Sequence, residues 1–282
     1  MSKSYVCELP IVVQNYAEKM LNETEVARQN GFKEIKKWAA DNPHLHIRTD
    51  EKYILPFLRG CKFNLDKTKK KMENFYLMRR DRTEWFKNRN VLSGDIGELV
   101  KMGCLVVLKE THENQVVIII RATAHDPKKH SLNDVLKGGK MILDVAVSEY
   151  ELAQVYGVIA IIDMTNVKMG HAKQLSLTQI KHMVFAWQNY YCRPQRIQFV
   201  NAPHYINIFL DIFKKFMSEK LSKRVHVSYS GNSSLASIVD RSILPKDYGG
   251  DGETIEELGS YWYDKLVSYA DWFAEDEKYK AE

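Results

Sequence analysis

Asp163 closes the apolar run "GVIAIIDM" and His171 follows eight residues later, a pairing that could serve as acid and base. A carboxylate at the end of a buried strand stands where α/β enzymes often keep reactive groups. It can equally brace the loop that follows the strand. No nucleophile joins the pair. "SGNSS" (230–234) follows a strand but lacks the glycine spacing of a nucleophile elbow. "KGGKM" (137–141) has neither the second glycine nor the Ser/Thr of a phosphate-binding loop, and it falls within a helical pattern. Two adjacent glycines there would permit close packing or ligand approach. The cysteines Cys7, Cys61, Cys104 and Cys192 are far apart and show no metal-binding spacing, so they read as buried thiols. The nine histidines form no zinc pattern, and no cofactor is implied. Nothing assembles a nucleophile, a base and an orienting group, so the sequence argues against catalysis.

The unusual stretch is "NAPHYINIFLDIFKKFMSEKLSKR" (201–224). As a helix it places Asn207, Asp211, Lys214, Lys215 and Ser218 on one narrow polar stripe, with apolar or aromatic residues over well over half the circumference. A surface helix ordinarily buries a stripe a little over ~100° wide. The chain then turns basic at Lys220, Lys223 and Arg224. Such a helix must cover apolar surface.

The elements around it fall into two regimes. Helical patterns fill residues 10–21, 23–40, 50–59 and 65–88, with Thr49 or Asp50 and Asn64 as candidate caps. The charged run "DKTKKKMENFYLMRRDR" (66–82) is the wet face of the last of these. Past Gly94, strand-like runs at 104–108, 115–121, 157–164, 196–201 and 224–229 alternate with helical patterns at 131–156, 175–191, 204–218 and 232–240. A final helix covers 254–275. Buried Val/Ile strands alternating with helices predict an α/β fold, a mostly parallel sheet covered by helices. The divisions expected are a helical module at 1–93, a sheet domain at 94–258 and a C-terminal helix and tail at 259–282.

With 45% hydrophobic and 27% charged residues, the composition is that of a globular protein. No apolar run approaches the ~20 residues of a membrane span, and the N-terminal apolar patch is too short for a secretion signal. A cytoplasmic protein is expected. The net charge of +5 is interleaved with acids, which does not suggest a nucleic-acid partner.

The order of several pieces carries more. "ILPFLRGCKFNLDKTKKKMENFYLMRR", "RATAHDP", "GVIAIIDM" with His171, "IQFVNAP" before the apolar helix, and "LPKDYGG" together resemble the CRAL-TRIO lipid-binding family from about residue 50 to 258. The likeness is strongest to its animal branch of tocopherol and retinaldehyde carriers. The resemblance implies intracellular binding and transfer of a small hydrophobic lipid, tocopherol-, retinoid- or carotenoid-like. It also implies a mobile gate helix over the pocket and reversible docking on anionic or phosphoinositide-bearing membranes. A monomer without enzymatic activity is expected.

By resemblance, the pocket would be lined by Leu136, Gly139 and Leu143, by Val158, Ile162, Ile197 and Phe199 on the strands, and by Phe209, Ile212, Phe213, Phe216 and Met217 on the gate. Gly139 and Leu143 stand where the tocopherol carrier has serines, which removes a polar handle. Headgroup contacts would fall to Arg193, Arg196, Lys220 and Arg224. Gln195 replaces one family arginine, with Arg196 beside it, and Cys61 another, with Arg59 and Lys62 beside it. A lipid with ~20 methylenes exposes up to ~16 kcal/mol of apolar surface in crossing water, at about 0.8 kcal/mol per CH₂. A closed pocket removes that barrier without chemistry. Two rivals are an enzyme acting on an apolar substrate through Asp163 and His171, and an adaptor that docks a partner protein on the apolar helix.

Overall fold

The computed structural model describes residues 4–121, 123–229 and 231–282; Ala122 of "RATAHDP" and Ser230 of "SGNSS" lie outside the described residues. The N-terminal part folds into α1 (Ile11–Leu21), α2 (Glu25–Asp41), α3 (Glu51–Gly60), α4 (Leu65–Asp81) and the short α5 (Thr83–Phe86). Thr24 and Asn64 cap α2 and α4 by accepting from the backbone N–H of Ala27 and Lys67. Asp50 precedes α3 but makes no side-chain cap. The helix-spaced Phe32, Ile35, Ile54, Leu58, Met72 and Phe75 bury one core, to which Trp85 adds. The pattern at 65–88 is broken at Arg82, so α4 and α5 are separate helices.

After α6 (Ile96–Lys101) come β1 (Leu105–His112), β2 (Gln115–Arg121), β3 (Val158–Asp163), β4 (Pro194–Val200) and β5 (Val225–Val227). They form one sheet in the order β1-β2-β3-β4-β5, antiparallel between β1 and β2 and parallel elsewhere. Between them lie α7 (Leu132–Glu149), α8 (Glu151–Val155), α9 (Met169–Lys173), α10 (Leu177–Asn189), α11 (Ile206–Phe216) and α12 (Glu219–Ser222). Parallel strands taken in sequence order through right-handed crossovers put their connecting helices on one face. The register agrees: Leu105, Ile120, Ile162, Phe199 and Val227 are paired across the sheet and therefore share a face. Helix α7 rests on the β1 end of that face and α11 on the β3–β4 end.

The glycine pair explains how α7 comes so close. A Cβ on Gly139 would lie 3.1 Å from Leu105 Cδ1, and one on Gly138 would lie 3.4 Å from Val100 of α6. At β1, Trp262 of α13 (Ile255–Ser268) is fully buried, and its Nε1 donates to the Val107 carbonyl at 2.8 Å. That carbonyl lies at the edge of the irregularity between Val107 and Thr111. The expected helix over 254–275 breaks at Tyr269 into α13 and α14 (Ala270–Asp276). The helix expected over 232–240 is instead a 3-10 turn at Gly231–Ser237.

Two buried ion networks join the N-terminal helices to α7, α8 and α14. Arg59, fully buried, donates to Glu23 at 2.7 Å, Glu151 of α8 at 2.7 Å and Gln154 at 2.9 Å. Arg89 joins Asp144 of α7 at 2.9 Å and Asp276 of α14 at 2.7 Å, and Arg79 of α4 pairs with the same Asp276 at 2.8 Å. Removing one partner from such a set strands a buried charge, at ~3–5 kcal/mol. The networks hold α3, α4 and the segment of Arg89 against α7, α8 and α14. They also take Arg59 out of any surface role beside Cys61.

Candidate functional site

Helix α11 shows how its wide apolar face is divided. Ile206 and Leu210 are buried. They pack with Ala160, Ile162, Ile197, Phe199 and Leu221 in an apolar layer joined by Phe209, Met217 and Trp187. Asn207, Asp211, Lys214 and Lys215 are exposed. Ile212, Phe213 and Phe216 stay half-buried and outside that layer, while Ile208 is 66% exposed and Tyr205 50%. Isolated exposed apolar residues are unremarkable, but these share one helix with a buried face.

Of the strand positions, the structure brings Ile162, Ile197 and Phe199 under α11. Val158 packs instead in the main sheet core. On α7, Leu143 lies between that core and the helical-module core, Leu136 lies on the helical-module core, and Gly139 is held against Leu105. Ala160, Ile206, Leu210, Trp187 and Leu221 belong to the layer as well, beyond the lining positions expected from the sequence. Ala160 was recoverable from the two-residue alternation with Ile162.

Hydrogen-bonded anchors lie before and after α11. At its start, Asp163 Oδ1 accepts from Thr165 N at 2.9 Å, Thr165 Oγ1 at 2.6 Å and Asn201 Nδ2 at 2.9 Å. Asp163 Oδ2 accepts from Tyr248 OH at 2.8 Å. One carboxylate thus ties "VNAP", the end of β3 and "LPKDYGG" together. Burial pushes its pKa up, but the hydrogen bonds from Thr165, Asn201 and Tyr248 outweigh this and hold it below the usual carboxylate value. At the far end, Gln188 of α10 accepts from Ser218 N at 2.7 Å and donates to the Phe216 carbonyl at 3.4 Å. Ser218 then caps α12.

Immediately beyond this clamp opens a cleft of about 450 Å³. Seven cations line it: Lys62, Lys67, Lys70 and Lys71 from the start of α4 and the turn before it, Arg193, and Lys220 and Arg224 after α11. No Asp or Glu is among the lining residues. Lys220 has its pKa lowered by burial and by Arg224, Lys62, Arg193 and Lys67. Burial likewise lowers Lys71, Arg193 and Arg224, the repulsion of Arg224 adding to it at Arg193. Lys70 pairs with Glu73 at 2.9 Å, and the remaining six cations form a cluster short of counter-charge, which an anion would relieve. Arg193 and Arg224 are held in place by donating to the Val155 and Pro194 carbonyls. Arg196 is elsewhere: its guanidinium donates to Gln198 Oε1 at 3.0 and 2.8 Å. Lys67, Lys70 and Lys71 lie in the charged run expected to be the wet face of α4, and their approach to Arg193 and Arg224 depends on the packing of α4 against α10.

Both members of the acid–base pair are hydrogen-bonded to their surroundings. His171 Nδ1 accepts from Lys168 N at 3.0 Å, which leaves Nε2–H to donate to the His125 carbonyl at 3.0 Å. Asp163 is occupied as described. All four cysteines are free thiols; Cys104 and Cys192 are buried, with thiols pushed up to about 11 by burial, whereas Cys7 and Cys61 are only half-buried. Among the described residues no helix is long and apolar enough to cross a membrane.

Comparison with known proteins agrees with this architecture. A profile described as Pinta-like, UBA domain, matches residues 24–96, and one described as CRAL/TRIO domain matches residues 100–250. Clavesin-2 of Rattus norvegicus is 26% identical over 233 residues, covering 82% of this chain and 71% of that protein. Clavesin-1 of Xenopus laevis is 27% identical over 233 residues, covering 82% and 70%. The crystal structure of Sfh5 superposes with a TM-score of 0.52 at 12% identity, covering 93% of this chain and 99% of that one, a likeness of fold. With more than half its length matched by the domain profile and the helix-covered sheet in place, the chain belongs to the CRAL/TRIO domain family, whose members bind and transport small lipophilic ligands.

Proposed function

We propose that this protein carries a small hydrophobic lipid beneath α11 and exchanges it at membranes bearing phosphoinositides or other anionic headgroups. The observation that carries the proposal is a juxtaposition on one helix. Helix α11 buries Ile206 and Leu210 on an apolar layer of the sheet, and its end opens directly into an acid-free cleft with seven cations. The half-buried Ile212, Phe213 and Phe216 and the exposed Ile208 and Tyr205 supply apolar surface beyond what closing on the sheet requires. Lipid on one side and membrane on the other account for that surplus. Each cation near an anionic surface contributes ~1 kcal/mol, so several give contact that is firm yet reversible.

The positions proposed for the lipid are Ile162, Ile197, Phe199, Phe209 and Met217, with Ala160 added. Ile212, Phe213 and Phe216 are proposed to meet membrane or cargo as the helix moves. Arg193, Lys220 and Arg224, with Lys62, Lys67 and Lys71, are proposed for the headgroup. The hydrogen bonds that occupy Asp163 and His171 weigh against the enzymatic alternative. The test is transfer of a fluorescent hydrophobic ligand between vesicles with Phe213→Asp and Phe216→Asp combined. Transfer should fall at least tenfold; transfer at the unaltered rate would remove α11 from the mechanism.

A further inference from the structure

Asp95, the N-cap of α6, and Glu98, in its first turn, meet His130, the residue before the Ser131 cap of α7. One ligand atom from each lies within 4.8 Å of the others. His130 is 3% exposed, and neither of its ring nitrogens has a hydrogen-bond partner among the described residues. An imidazole buried in that state is costly and needs a reason. Its Nε2 stands 3.6 Å from Glu98 Oε1. That is too long for a hydrogen bond. It is close to the ~3.4 Å that separates two donor atoms on a tetrahedral zinc ion with bonds of about 2.0–2.1 Å.

We infer that Asp95, Glu98 and His130 supply three ligands to a zinc-type divalent-metal site that clips α6 to the loop ahead of α7. One imidazole and two carboxylates suit zinc, whereas calcium and magnesium take sets made of oxygen alone. The ion would enter from the Glu98 side, where the side chain is 46% exposed, and a water would complete its shell. The site lies at the junction of the two modules: α6 leads from the helical part into β1 and packs beneath Gly138 of α7. A bound ion would therefore hold that junction. Lys129 pairs with Glu98 Oε2 and is the local competitor of the ion.

The experiment uses the full chain, stripped with chelator and dialysed against zinc chloride. Bound metal is counted by mass spectrometry, affinity is read by competition with a fluorescent zinc chelator, and the unfolding temperature is followed. Glu98 and Lys129 are both about half exposed, so neutral variants keep the fold, which circular dichroism verifies. The wild type should hold one zinc more than Glu98→Gln and unfold at higher temperature with zinc. Glu98→Gln should weaken the site by about tenfold or more, since even ligand-supporting groups are worth that much. Lys129→Met should strengthen it by removing the competing ammonium. Equal zinc content and affinity in wild type and Glu98→Gln, or no binding by the wild type at micromolar zinc, would overturn the assignment.

Discussion

Replacing Lys67 and Lys220 by glutamine should weaken docking on phosphoinositide-bearing vesicles by about tenfold to 30-fold. Both ammonium groups line the cleft, and neither has an ion-pair partner among the described residues, so their loss strands no carboxylate. At ~1 kcal/mol per cation the pair is worth ~2 kcal/mol, or roughly 30-fold at 1.4 kcal/mol per decade. The lower figure arises because Lys220 is itself repelled by Arg224, Lys62, Arg193 and Lys67. Removing it relaxes the cations that remain. Vesicle sedimentation at low ionic strength measures the effect, with Lys109→Gln plus Lys278→Gln as a charge-matched control outside the cleft. Raising salt shortens the screening length from about 10 Å at 0.1 M to about 3 Å at 1 M, so the gap between wild type and variant should close. Binding within twofold of wild type, or a gap unchanged at 1 M salt, would refute the reasoning.

Gln188→Ala should free the end of α11 by removing its hold on Ser218 N and the Phe216 carbonyl. At about 1 kcal/mol for the stronger bond, α11 amides should exchange hydrogen roughly fivefold faster; unchanged exchange would show that the clamp is idle. Asp163→Asn should cost ~2–3 kcal/mol in urea unfolding, because it weakens a set of hydrogen bonds to a charged acceptor. The folded-state pKa of Asp163 is lowered, so its contribution is fully present above the ordinary carboxylate value near 3.8 and is lost as pH falls through the folded value. The variant should lack that portion of the acid loss, and an identical acid profile would remove Asp163 from the account.

Local pattern carried most of the architecture. Two-residue alternation and apolar runs placed all five strands, and 3.6-residue spacing with Asn64 as cap placed the main helices, because these signals depend on near neighbours alone. The apolar width of residues 206–217 was likewise readable before any fold was known. Register and long-range packing decided the rest. Val158 and Ile162 look alike in sequence, yet one packs in the main core and the other under α11. Arg59 and Lys62 are three residues apart, but one is sealed against Glu23 and Glu151 while the other lines the cleft. The cleft joins residues near 62–71, 193 and 220–224, and the charge cluster exists only because α4 folds against α10 beside the end of α11. Electrostatic potential depends on distance in space, and one-dimensional order does not encode that distance; hydrogen-bond periodicity does run along the chain, which is why the elements could be read but the meeting of Lys67, Lys70 and Lys71 with Arg193, Lys220 and Arg224 could not.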